Sequence, residues 1–201
     1  MMNRNHIVSE SREFVRRLFG EKLAPWVSYH DFCHTEETVE AALEIGTASG
    51  LGGEEMEVLM LAAWFHDTGY TEIAGGHKER SVTIAADYLS RHEYSEENLR
   101  KISGCIMATK VPQRPGNLTE QVICDADMLF LGREEFFRKN DLLKKEIEKR
   151  EGKLMPAAEW LKRSIEFLED HVYHTEYCRE KLSAGVRHNI EILRGQLGRL
   201  S

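Results

Sequence analysis

The chain has 201 residues, 41% of them hydrophobic and only four of them proline, which is enough to bury a sizeable core in one domain. Its formal net charge is −7, which argues against wholesale binding to a nucleic-acid backbone. The aliphatic runs are too short to span a bilayer, and Met1 to Glu10 is polar, without the apolar core of a signal peptide, so a cytoplasmic protein is expected. Cys33, Cys105, Cys124 and Cys178 form no CxxC pair. They point to reduced, mostly buried thiols rather than to a disulfide framework or a thiolate zinc site.

Ser9 to Phe19 carries Phe14, Val15, Leu18 and Phe19 at helical spacing, with Ser9 or Ser11 as the candidate cap. Gly20 to Ser28, with Pro25, reads as a connector. From about Thr35 to Ala48, Val39, Ala42, Leu43 and Gly46 form one face and Glu36, Glu37, Glu40 and Glu44 the other, the pattern of an amphipathic helix. After Gly52-Gly53, Glu54 and Glu55 place charges suited to a helix N-terminus. Val58 to Phe65 is then almost unbroken in its apolar character, the mark of a helix buried on every side.

That run ends in His66-Asp67, followed by the glycine-rich loop Gly69 to Gly76. Helices are predicted from about Lys78 to Arg91 and from Ser95 to Thr109, with the clearest loop of the chain at Lys110 to Asn117. Thr119 to Leu131 is helical through Val122, Ile123, Ala126, Leu129 and Phe130, and Gly132 breaks it. A highly charged helix follows to about Arg150, and it can be an exposed face, a cover over a site or a partner surface. Pro156 suits a helix start. Leu161, Ile165, Leu168 and Val172 mark the next helix, and Leu182, Val186, Ile190 and Leu193 the last. No period-two strand appears. The expected fold is all-α, an irregular bundle of about eight or nine helices.

Four places carry chemistry. His66 and Asp67 are a poor choice at the end of a buried helix unless something compensates them. A divalent cation would do so, because a neutral imidazole and a carboxylate are both good ligands. His30 and His34 are four apart and would share a face on a helical turn; the plainer alternative is two partly exposed histidines near a helix start. Asp127 follows Ile123 by four and lies beside Ala126 and Phe130, on the inward side of its helix. Buried carboxylates are rare unless paired or metal-bound, and the alternative is a bond to nearby backbone or an arginine. His77 stands where a helix begins, which is also an ordinary place for a surface histidine.

Taken together, His34, the His66-Asp67 pair and Asp127 resemble the HD superfamily of metal-dependent phosphohydrolases, over roughly Ser28 to Leu131. The resemblance implies a single helical domain over residues 1–201, with a metal-site core at about 28–131 and the helices of 132–201 packed on it. It implies His34, His66, Asp67 and Asp127 as metal ligands. Asp127 is preferred to Asp125, because in the family the second acid of such an Asp-Ala-Asp stretch binds metal. Tyr29-His30 to His34 is also similar to the Tyr-His-x-x-x-His segment of cyclic-nucleotide phosphodiesterases, a branch of the superfamily. That implies His30 as the proton donor to the leaving oxygen; Asp67, as ligand or neighbour of a metal-bound water, can accept that water's proton. Some members bind a second ion through further histidines. His77 is one candidate, and Thr109 occupies the place of another, which speaks against a strong second metal site. His77, Thr109 and Lys110 are therefore the candidates for a second metal or for substrate contact.

The implied cofactor is a divalent transition metal (manganese, iron, cobalt, nickel or zinc, with magnesium admissible), since mixed nitrogen and oxygen ligands suit these ions better than calcium. The implied partner is a small phosphorylated substrate, a nucleotide or similar metabolite, as monoester or diester. A homo-oligomer is compatible with the sequence. The alternative is a metal-bound nucleotide-binding or signalling module without turnover.

Overall fold

The most apolar segment takes the central position. In the computed structural model, which describes residues 4–92 and 94–200, that segment is helix α3 (Gly53–Phe65), and all its residues from Val58 onward are buried except Met60. Leucine, methionine and alanine are strong helix formers, and no polar side chain interrupts the second half of the run. Around α3 pack α1 (Arg4–Lys22), α2 (Phe32–Ala48), α4 (His77–Ser90), α5 (Glu96–Ala108) and α6 (Leu118–Asp127). The fold is all-α, with nine α-helices, two short 3₁₀ turns and no strand among the described residues. No helix of the described residues is long and apolar enough to cross a membrane.

The remaining helices are α7 (Phe136–Glu151), α8 (Ala157–Asp170) and α9 (Glu176–Gly198). They join the rest mainly through the 3₁₀ turn Leu129–Gly132, on which α9 lies and against which α7 also packs. Asn189 of α9 donates to the carbonyls of Leu131 and Arg133 at 2.9 and 3.2 Å. Backbones meet at this crossing: a Cβ on Gly185 would stand 1.9 Å from the Gly132 carbonyl oxygen, and one on Gly132 would stand 2.6 Å from that of Leu182. Both residues must be glycine for α9 to seat.

The local expectations needed three adjustments. Helix α1 begins at Arg4, so Ser9 and Ser11 lie inside it and cap nothing; Ser11 is fully buried. Helix α6 ends at Asp127 and tightens into the 3₁₀ turn before Gly132. Val172 lies beyond the end of α8 in extended chain and is 65% exposed, because periodicity alone did not reveal that the chain turns at His171.

The glycine crossing gives paired expectations within one helix. Gly185→Ala forces a Cβ into backbone and should destabilise by about 1–3 kcal/mol or more. Gly195→Ala, where the new Cβ meets nothing within 4 Å, should stabilise by about 0.5–1 kcal/mol. Chemical denaturation of the two variants measures both signs.

Candidate metal centre

Three helix ends meet at one point. His34 sits in the first turn of α2, whose start is capped by the Asp31 carboxylate accepting from the His34 N–H at 2.9 Å. His66 closes α3 and Asp67 follows it, opening the 3₁₀ turn Thr68–Thr71. Asp127 is the last residue of α6. The C-terminal ends of α3 and α6 both bring negative partial charge to this point, which favours a cation there.

One ligand atom from each of His34, His66, Asp67 and Asp127 can be chosen so that all four lie within 4.8 Å of one another, and all four residues are buried. The two Nε2 atoms face the same pair of carboxylate oxygens. His34 Nε2 is 3.1 Å from Asp127 Oδ1 and 3.5 Å from Asp67 Oδ2. His66 Nε2 is 3.0 Å from Asp67 Oδ2 and 3.5 Å from Asp127 Oδ1.

The His66 ring shows what this arrangement needs. Its Nδ1 lies 2.8 Å from the Ala63 carbonyl, which can only accept, so Nδ1 carries a proton. In the neutral ring the Nε2 lone pair then points at two carboxylates. His66 Nε2 and Asp67 Oδ2 are both buried without a hydrogen-bond partner. Such atoms repel unless a cation, proton or metal, stands between them. Burial would push the His66 imidazole down, but the charges of Asp67 and then Asp127, opposed by Lys78, pull its pKa up to about 9. Burial would raise the Asp67 and Asp127 carboxyls, yet the charges of His66 and Lys78 hold both well below their ordinary range. With a divalent transition ion in place of that proton, both imidazoles would serve as neutral ligands beside two ionised carboxylates, and the unpartnered His66 Nε2 and Asp67 Oδ2 would both be satisfied.

No family model and no curated protein matches the sequence. Two solved structures match along nearly its whole length. A predicted HD superfamily hydrolase from an uncultured Thermotogales bacterium is 20% identical, with a TM-score of 0.62 over 96% of this chain and 92% of its own. A protein from Lactobacillus plantarum is 14% identical, with a TM-score of 0.64 over 96% of this chain and 97% of its own. The chain has the HD-superfamily fold.

Within the HD fold the neighbours of the quartet divide sharply. His30 is not on α2. It lies just before the Asp31 cap, so it and His34 do not share a helical turn. Their rings still come within 6.0 Å centroid to centroid, edge to face. His30 is held instead by α7, where buried Glu146 accepts from the backbone N–H of Ser28, Tyr29 and His30 at 2.9, 2.7 and 3.1 Å. The same carboxylate meets His30 Nδ1 at 2.5 Å. Tyr70 stacks flat on the other side of His30 at 4.0 Å, and His77 follows Tyr70 at 4.2 Å. His77 Nε2 is 3.6 Å from Asp67 Oδ1.

Thr109 is buried but spends its hydroxyl on the Ile106 carbonyl. Lys110 is exposed and ion-paired with Glu79. The cavity lined by Lys110 and Arg114 contains none of the quartet. A cavity of about 230 Å³ does reach Asp127, between Glu37, Thr38, Phe130 and Lys139. Asp125, the acid set aside on the sequence, is also buried. It accepts from the N–H of His174 and Thr175 and from the Thr175 hydroxyl at 2.7–2.8 Å, and so pins the connector before α9.

Sequence reasoning missed two charged residues here. Glu146 follows Leu142 by four and Leu143 by three, which places it on the inward stripe of α7; that was the available signal. Lys78 is 94% buried, its relative exposure being 6%, and nothing in the run His77-Lys78-Glu79-Arg80 marked it out.

The two aspartates separate by assay. Asp127→Asn is expected to abolish tight metal binding, measured by elemental analysis of purified protein. Asp125→Asn should keep the metal and lose about 1–3 kcal/mol of stability through its weakened buried hydrogen bonds.

Glu146 carries a pH dependence. Burial would push its carboxyl up, but the bonds from His30 and from the backbone of Tyr29 and His30 outweigh this and hold it below the ordinary 4.5. A depressed carboxyl contributes stability above its unfolded value and loses it as pH falls through the folded one. The stability difference between the unmodified protein and Glu146→Gln should therefore shrink on moving from neutral pH into the acid range, which denaturation curves at several pH values record.

Proposed function

We propose that this protein is a metal-dependent phosphohydrolase that cleaves a phosphoester of a nucleotide or a similar small phosphorylated metabolite, with His34, His66, Asp67 and Asp127 holding one divalent transition ion. The observation that carries the reading is the inward-facing Nε2 atom of His66, fixed by the Ala63 carbonyl and aimed at two carboxylates. The hydrolase named among the proteins of like fold supports it.

When bound, such an ion supplies an acidified water and positive charge beside the phosphoryl group. Asp67 is the acceptor for the water's proton. Held far below its ordinary range, it is a weak base, which suits a proton donor already made acidic. Two carboxylates balance one divalent ion, and the Lys78 ammonium, 2.7 Å from Asp67 Oδ1, leaves a surplus positive charge that favours an anionic phosphate.

His30 is the proton donor to the leaving oxygen. Its Nδ1 is occupied by the Glu146 carboxylate, so Nε2 is the atom that delivers. The Tyr70 ring, inclined by only 14°, fixes the plane of the His30 ring. The segment Tyr29 to His34, with its likeness to cyclic-nucleotide phosphodiesterases, points to nucleotides as the substrate class.

His30→Ala is expected to keep metal and fold and to slow hydrolysis by about 10²–10⁴-fold, with a smaller loss on nitrophenyl phosphoesters, whose leaving oxygen needs no proton. Equal losses on both substrate types together with lost metal would make His30 a support for the ligands instead. Screening the metal-loaded protein against mono-, di- and cyclic nucleotides, with phosphate and nucleoside both followed, tests the activity. Bound metal without turnover of any phosphoester would favour the non-catalytic module.

A further inference from the structure

We propose that Lys78 fills the second cation place of this centre, so that the quartet takes a single metal ion and an ammonium stands where a second ion would sit. The inference rests on the metal-site reading above and concerns how many ions the site admits.

The two carboxylates are each divided. Asp67 Oδ2 and Asp127 Oδ1 face the two imidazole Nε2 atoms. Their other oxygens, Asp67 Oδ1 and Asp127 Oδ2, face Lys78 Nζ at 2.7 and 3.9 Å. One oxygen of each acid is thus turned to the quartet and the other to a fixed positive charge. Carboxylates placed this way, back to back between two cation positions, are what a pair of ions would share.

The second position has the start of a ligand set. His77 Nδ1 meets the Ala74 carbonyl at 2.8 Å and so carries its proton. The Nε2 lone pair is left facing Asp67 Oδ1 at 3.6 Å. What stands against that oxygen is Lys78. A second ion would have to compete with the ammonium for this oxygen, which Lys78 Nζ already holds at 2.7 Å.

Lys78 is held there by backbone. A Cβ on Gly69 would stand 2.0 Å from the His77 carbonyl oxygen, so the turn after Asp67 and the first turn of α4 touch directly. The Ser81 hydroxyl accepts from the Gly69 N–H at 2.8 Å and locks the contact. Burying a lysine is costly unless it is paired, and here its partner is a proposed metal ligand.

The test is a manganese titration of the full-length protein, read by elemental analysis and by electron paramagnetic resonance. The unmodified protein should saturate at one ion per chain with an uncoupled signal. Lys78→Ala, or Lys78→Gln should the first variant fail to fold, should take up a second ion and show an exchange-coupled pair. Adding His77→Ala to either variant should return the count to one. Two ions in the unmodified protein, or a single ion in a folded Lys78 variant, would overturn the proposal while leaving the quartet intact. No ion in the unmodified protein would remove the metal reading and this inference with it.

Discussion

The structure depends on one electrostatic constraint: two carboxylates and two imidazoles sit buried at a single junction of three helices. Removing four ionisable groups from water is costly, and the cost is offset only if positive charge is shared among them. The fold meets the constraint in layers. The hydrogen bond from His66 Nδ1 to the Ala63 carbonyl dictates which nitrogen faces the acids, Lys78 neutralises their outer oxygens, and the inner oxygens are left to a cation between the rings. The apolar character of α3 follows from the same requirement. A helix that delivers His66 and Asp67 to the centre of the molecule must be compatible with burial along its length.

The centre is also placed where its support comes from every part of the chain. Helices α2, α3 and α6 supply the quartet, α4 supplies Lys78 and His77, and α7 reaches back to hold His30. Side chains that meet the quartet are each fixed by a second contact: Asp31 caps the helix of His34, Tyr70 stacks on His30, and the Gly69 backbone seats α4. Such doubling leaves little freedom for the donor atoms to reorganise, which is the condition for a preorganised charged site.

The sequence made the helices and the quartet legible for the same physical reason. A hydrophobic run ending in a charged pair, and an aspartate on an inward stripe, are violations of the ordinary burial pattern, and violations are visible in a string of letters. Both Asp125 and Asp127 are buried, so the apolar pattern alone did not separate them; the preference for Asp127 came from the family resemblance, and the structure puts Asp127 in the quartet and gives Asp125 its partners in the α8–α9 connector. His30 was singled out for helical proximity to His34, whereas what brings it in is a carboxylate from α7. Lys78 and Glu146 sit in charged runs that look solvated, and their burial depends on long-range packing that no local period encodes. Val172 shows the converse: an apolar residue at the right spacing can lie past the end of its helix.

The bond between Glu146 and the Ser28–His30 segment joins residues 116 to 118 positions apart, whereas the quartet is complete by Asp127. In a chain made from its N-terminus, the four residues of the quartet therefore emerge before the carboxylate that clamps His30. The ring of His30 is thus held by a carboxylate that arrives later in the chain, once α7 packs back on the segment before α2.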